Sequence, residues 1–252
     1  MNTDDTEMEP VAGPSHDFRN HEELRSIVPT TMSPREALET LWRECEERKM
    51  IRNDIIPLVL ALDYAHANHI HKVDKDGKIE EWSLLKLAAF RKHMLLFGTL
   101  IREGCADPTI IFPLTRSNLL DSLVTWDRQI MFGELCLNET ETPASRSSFL
   151  NNTNQKGWTP LMVAARLNHV RWAKWLLNKG AGANVARAAL SSITPMHVAA
   201  KKGHIQVLEL LLDAGGNKNQ LGHHCQMGNV TPMDMAKKGG ISAVLQLLNK
   251  YK

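Results

Sequence analysis

An all-α array of stacked helix–turn–helix units is the fold class this sequence predicts, and three observations predict it. Three segments near the C-terminus align with one another: GWTPLMVAARLNHVRWAKWLLNKGAGAN from Gly157, SITPMHVAAKKGHIQVLELLLDAGGNKN from Ser192, and NVTPMDMAKKGGISAVLQLLNK from Asn229. Their Thr-Pro pairs fall at Thr159, Thr194 and Thr231, spacings of 35 and 37, and self-similarity at such a period marks a repeat architecture. Behind each pair the apolar residues recur at helical rather than strand spacing.

Along the chain, residues 1–32 carry seven acids and two Arg among Pro, Gly, Ser and Thr, with little apolar content, and are expected to form a disordered acidic tail. Ser33-Pro34-Arg35-Glu36 is a capping box with Pro at the first helical position. Leu38, Leu41, Trp42 and Cys45 then line one face of a helix to about Met50, and Asn53-Asp54 starts a second through Leu58 to His66. Asp74 to Gly77 resembles a calcium loop. With Gly77 at its sixth position, however, Lys72 and Ser83 fall where the first and twelfth ligands belong, and both should be acidic. Ser83-Leu84-Leu85-Lys86-Leu87-Ala88-Ala89 instead runs in step with the Thr-Pro stretches, His93 takes the place of His204, and Leu100-Ile101 that of Leu211-Leu212. Asp74 to Gly77 is then a hairpin turn before a degenerate repeat over 74–109. Within the helical region 33–138, residues 34–72 and 117–137 are weaker candidates for further repeats. The stretch 139–153 is expected to be a polar loop. The alternative architecture is a distinct helical N-terminal domain docked on a three-repeat stack.

In the C-terminal repeats, Thr at the N-cap followed by Pro at the first position starts a helix sharply. The pairs Ala164-Ala165 and Ala199-Ala200 let neighbouring helices approach closely, and Asn168 and Gly203 stand where a short helix must stop at φ > 0. A second helix presents Trp172, Trp175, Leu176 and Leu177, or Val207, Leu208, Leu211 and Leu212, toward the stack, and Gly180 and Gly215 end it. On these motifs the C-terminal half resembles the ankyrin repeat family, in repeats at 154–187, 188–222 and 226–252. His197 matches the family's His position, where the imidazole is a local hydrogen-bonding strut. The third repeat has Asp234 in that place and Lys237 for the second Ala, as befits a terminal cap with one neighbour.

The composition excludes several function classes. The 252 residues are 43% hydrophobic and 23% charged, ordinary for a soluble protein, and no run approaches the ~18 apolar residues of a membrane span. The first thirty residues lack a basic start followed by an apolar stretch, so no secretory signal is expected. Cys45, Cys105, Cys136 and Cys225 form no CxxC pair, which suits a reducing compartment, cytoplasmic or nuclear. Phosphate-binding loop, nucleophile elbow and HExxH are all missing, so no enzyme and no cofactor are expected. His223, His224 and Cys225 are adjacent with no fourth ligand at zinc-like spacing, and so read as a hairpin finger rather than a metal site.

The net charge of +2 hides a split, because residues 151–252 hold thirteen Lys or Arg against Glu209, Asp213 and Asp234, a net +10. Such asymmetry points to an acidic partner or to contact between the halves. The family resemblance implies a non-catalytic protein–protein interaction module, an adaptor, scaffold or stoichiometric regulator, with partners on the hairpin tips and the concave face of the first helices. Mapped onto this sequence, Trp158, Ile193 and Val230 are expected as exposed hairpin-side positions. Arg166, Leu167, Lys201, Lys202, Lys237 and Lys238 are expected to face the concavity. Apolar tips beside a basic ladder suit an acidic segment with hydrophobic anchors. A nucleic-acid-associated factor using the basic half is the alternative reading.

Overall fold

The computed structural model describes residues 33–47, 58–59, 62, 64–103, 106–138, 140, 142–185, 192–224 and 227–251. The expected tail 1–32, the helix start at Asn53-Asp54, and Cys225 lie outside the described residues. Helix α1 (Pro34–Glu47) is followed by the short α2 (Tyr64–Ala67) and by an antiparallel hairpin of β1 (His71–Lys75) and β2 (Lys78–Trp82). Then come the helix pairs α3 (Leu84–Arg91) with α4 (Met94–Arg102), and α5 (Leu119–Thr125) with α6 (Ile130–Asn138). A single helix α7 (Pro143–Asn151) precedes the pairs α8 (Pro160–Leu167) with α9 (Val170–Asn178) and α10 (Pro195–Lys202) with α11 (Ile205–Asp213). A second hairpin, β3 (Gly222–His224) and β4 (Gly228–Val230), leads to α12 (Pro232–Lys238) and α13 (Ser242–Lys250).

One local design repeats through five helix pairs. The first helices are capped by Ser83, Asn118, Thr159, Thr194 and Thr231. In four of them the cap side chain accepts from the backbone N–H three residues on, at 3.1 to 3.3 Å. Nine residues after each cap stands a residue at positive φ: Lys92 at 63°, Asp127 at 48°, Asn168 at 60°, Gly203 at 77° and Gly240 at 64°. The next N–H turns back on the helix, His93 to the Ala88 carbonyl, Arg128 to Leu123, His169 to Ala164, His204 to Ala199 and Ile241 to Ala236, at 2.9 to 3.1 Å. Pairs α3/α4 and α5/α6 therefore hold the same register as the clear repeats, although neither starts with Thr-Pro.

The first helices stack in chain order, α1 on α3, α3 on α5, α5 on α8, α8 on α10 and α10 on α12, while α4 meets α6 and the second helices α9, α11 and α13 follow one another. The array thus runs without a break past residue 138, and the docked-domain alternative is not the architecture found. Buried side chains form one continuous core from Ala37 to Leu248. Where the outer row passes from α6 to α9, Trp172 and Trp175 fill the joint against Gly133. A Cβ at Gly133 would stand 3.0 to 3.1 Å from their rings. Trp172 Nε1 donates to the Arg128 carbonyl at 2.9 Å and Trp175 Nε1 to Glu134 Oε1 at 2.6 Å, so both indoles bury with their N–H satisfied.

The expected polar loop 139–153 is corrected, because Pro143–Asn151 is helical. Thr142-Pro143 starts it with a capping box, Thr142 Oγ1 accepting from Ser145 N at 3.0 Å. Phe149 and Leu150 bury its inner end, and Asn118 Nδ2 holds the Phe149 carbonyl at 2.7 Å. Polar composition masks a helix that needs only two buried residues. Asp76 and Gly77, at φ 53° and 77°, make the expected turn of the first hairpin, and Asp74 Oδ1 accepts from Gly77 N at 2.9 Å.

Candidate functional site

Three first helices, α3, α5 and α8, and the segments leading into them enclose a groove of about 620 Å³. Lys86 and Phe90 come from α3, Asp121 and Ser122 from α5, and Val163 and Arg166 from α8. Ile79 and Trp82 reach in from the first hairpin, and Asn154 and Trp158 from the approach to α8.

Aromatic rings form its hub. Trp82 and Trp126 are stacked at 5.6 Å between centroids, and Phe90 sits edge-on to both, at 5.2 and 5.0 Å. Arg128 lies over Phe90 and Trp126 at 5.4 and 5.9 Å, while Lys86 Nζ stands 4.3 Å from the Phe112 ring and 5.2 Å from that of Trp82. The protein's own cations therefore already hold these ring faces, and Phe90, 37% exposed, remains open on the surface.

Two of the groove's ionisable groups are shifted by burial. Lys86 is 8% exposed and donates to the Glu81 carbonyl at 2.6 Å, and burial pulls its ammonium down to about 8. Burial pushes the Asp121 carboxyl up to about 6, only partly opposed by Asn154 Nδ2 donating to Oδ1 at 3.3 Å and by the charges of Lys86 and Arg166. Glu81 is fully buried, and its carboxylate accepts from the N–H groups of Leu114 at 2.9 Å and Thr115 at 3.3 Å, tying the hairpin to the next unit.

Of the residues expected at a partner site, Trp158 and Arg166 lie in this groove, with the guanidinium 5.6 Å from the indole centroid. Trp158 is half-buried rather than a free tip. Leu167 and Ile193 are half-buried against the core. Val230, expected to be exposed, is 2% exposed and is corrected. It stands at the base of the second hairpin opposite Gly222, and its carbonyl takes a hydrogen bond from His197 Nε2 at 3.1 Å. Val230 faces the stack because its strand runs directly into Thr231 and Pro232 at the start of α12.

Lys201, Lys202, Lys237 and Lys238 are exposed, and Lys237 lies 3.9 Å from Asp234. Arg166, Lys201 and Lys238 share one register on α8, α10 and α12, so the stack sets them in a row continuing from the groove. Sequence reasoning missed Trp82, Phe90, Asp121 and Trp126 and the burial of Lys86. Counting three residues from the caps Ser83 and Asn118 finds Lys86 and Asp121 at the place of His197.

Among the described residues no three His, Cys, Asp or Glu side chains converge to hold a metal, and no helix is long and apolar enough to cross a membrane. No curated protein matches the chain. Residues 134–221 match the family of ankyrin repeats, in three copies, and α12 and α13 beyond it keep the same register. Residues 134–221 carry ankyrin repeats, as the Thr-Pro segments at Thr159 and Thr194 led one to expect.

Proposed function

We propose that this chain is a non-catalytic adaptor or stoichiometric regulator whose first-helix face binds a partner segment that is acidic or carries apolar anchors. Ankyrin repeats are generic protein–protein interaction modules, and stacked repeats offer one extended rigid surface. The observation that carries the proposal is the groove across α3, α5 and α8, with aromatic walls and a row of cations leading away along α10 and α12. Such a surface pairs hydrophobic anchoring with electrostatic steering. A reducing compartment, cytoplasm or nucleus, suits the separated cysteines.

The competing nucleic-acid reading needs aromatic residues interleaved with the basic charge, and in the basic half Trp172 and Trp175 are buried. The test is affinity capture of partners by the full chain beside the variant Trp158→Ala, Lys201→Glu, Lys202→Glu. Proteins retained by the first and lost by the second, resistant to nuclease, are the expected outcome. Identical captures would remove the first-helix face from the account. Nuclease-sensitive capture alone would replace the protein partner with nucleic acid, whose binding falls steeply with salt.

A further inference from the structure

Lys86 is buried to 8% exposure, yet its ammonium, with three hydrogens to give, has one hydrogen-bond acceptor among the described residues, the Glu81 carbonyl. The groove's acids act on this ammonium only through space, and their hydrogen bonds go to other groups. Glu81 caps two backbone N–H groups of the next unit, Glu80 accepts from Trp82 Nε1 at 3.2 Å, and Asp121 accepts from Asn154. No ion pair among the described residues includes Lys86. The later unit that starts at Thr159 fills the same register position with Met162, so the fold does not demand a charge there. The groove is further lined by Lys75, Lys78, Lys156 and Arg166, against the acids Glu80, Glu81 and Asp121. A buried ammonium without an ion-pair partner, beside aromatic walls and in a groove with further cations on its lining, complements an anion next to an apolar group.

Resting on the adaptor reading above, we propose that Lys86 anchors an Asp or Glu side chain of the partner segment, while an adjacent apolar side chain of that segment lies on the exposed part of Phe90. The desolvated ammonium gains most from such a carboxylate, because both partners meet out of water. Above pH 8 the lysine loses its proton, whereas the peptide's acids stay ionised. The charged groups lining the groove with it are Lys75 on β1, Lys78, Glu80 and Glu81 on β2, Asp121 on α5, Lys156 on the approach to α8 and Arg166 on α8, and the Asp121 carboxyl, raised by burial to about 6, is already ionised in that window.

The experiment selects a random twelve-residue peptide library, displayed on phage, against the full chain, and measures the affinity of the selected peptides. Peptides pairing an acid with an aromatic or aliphatic residue are expected, bound about tenfold more weakly by Lys86→Met and about tenfold more weakly at pH 9 than at pH 7 by the wild type. Thermal melting of Lys86→Met is read alongside, and if that variant fails to fold, Lys86→Gln and the wild-type pH profile still decide. Selected peptides without acids, equal affinity for Lys86→Met, or a flat profile from pH 7 to 9 would overturn the anchor. Binding lost in the Trp158→Ala, Lys201→Glu, Lys202→Glu variant but kept in Lys86→Met would overturn the anchor and leave the adaptor reading standing. Binding indifferent to both would overturn the two together.

Discussion

Lys86, Asp121, Met162, His197 and Asp234 stand at one register position, three residues after the cap of a first helix, and each solves the position differently. His197 is fully buried, with Nδ1 accepting from Thr194 N–H at 3.2 Å and Nε2 reaching the Val230 carbonyl. Asp234 does the capping half alone, its Oδ2 accepting from Thr231 N at 2.9 Å. His197→Ala should cost about 1–3 kcal/mol in urea unfolding, because it leaves the Thr194 N–H and the Val230 carbonyl without their partner. Burial lowers the pKa of His197, so below its ordinary 6.5 the unfolded chain binds the proton that the native state refuses. The stability owed to the neutral ring is complete above that pH and is lost as the pH falls. His197→Gln should flatten the stability profile below pH 6.5, and an unchanged slope would assign it to other groups. Asp121 has the opposite sign. Its carboxyl, raised from 3.8 to about 6, prefers the native state protonated, so ionisation destabilises the fold above pH 6. Asp121→Asn should therefore raise the melting temperature at pH 8 and leave it nearly unchanged at pH 4.

At the scale of the helix, the left-handed residue that closes each first helix is a graded position. Glycine holds it in the last two units, whereas Lys92, Asp127 and Asn168 pay steric strain there. Lys92→Gly and Asp127→Gly are expected to stabilise the protein by up to ~1 kcal/mol each. Gly203→Ala should destabilise it by about 1 kcal/mol or more, since φ is 77° and the new Cβ would meet Ile241 at 3.3 Å. Chemical denaturation of the three variants checks all of these signs. The same elements show how far the sequence could be read. Thr-Pro caps and Gly stops are chemically distinctive, and they placed α8 to α13 directly. Ser83 and Asn118 cap equally well without Pro, so α3 was found through its Leu-Leu-x-Leu-Ala-Ala run and α5 only faintly. Pro143–Asn151 was missed because its polar surface outweighs Phe149 and Leu150. The groove was half legible: Trp158 and Arg166 follow from register, whereas its floor depends on Trp82, Phe90 and Trp126 meeting across two units, which no local pattern encodes.

For the whole molecule, the unbroken stack of first helices means that each unit leans on its neighbours, and stability should propagate along the array. Calorimetry is expected to show one coupled transition, with His197→Ala also lowering the temperature at which the units around Trp82 and Trp126 melt. Two independent transitions would revive a separate N-terminal domain. The charge distribution works at this scale too, since the row from Arg166 to Lys238 extends the groove's cationic rim along α10 and α12, toward the C-terminus. A partner segment lying along that row would shield successive first helices and leave the second helices untouched. Amide hydrogen exchange of the full chain, free and saturated with a captured partner or selected peptide, tests this most directly. Added protection is expected at residues 79–90, 118–126 and 154–167, fading along α10 and α12. Protection confined to α4, α6 and α9 would contradict it.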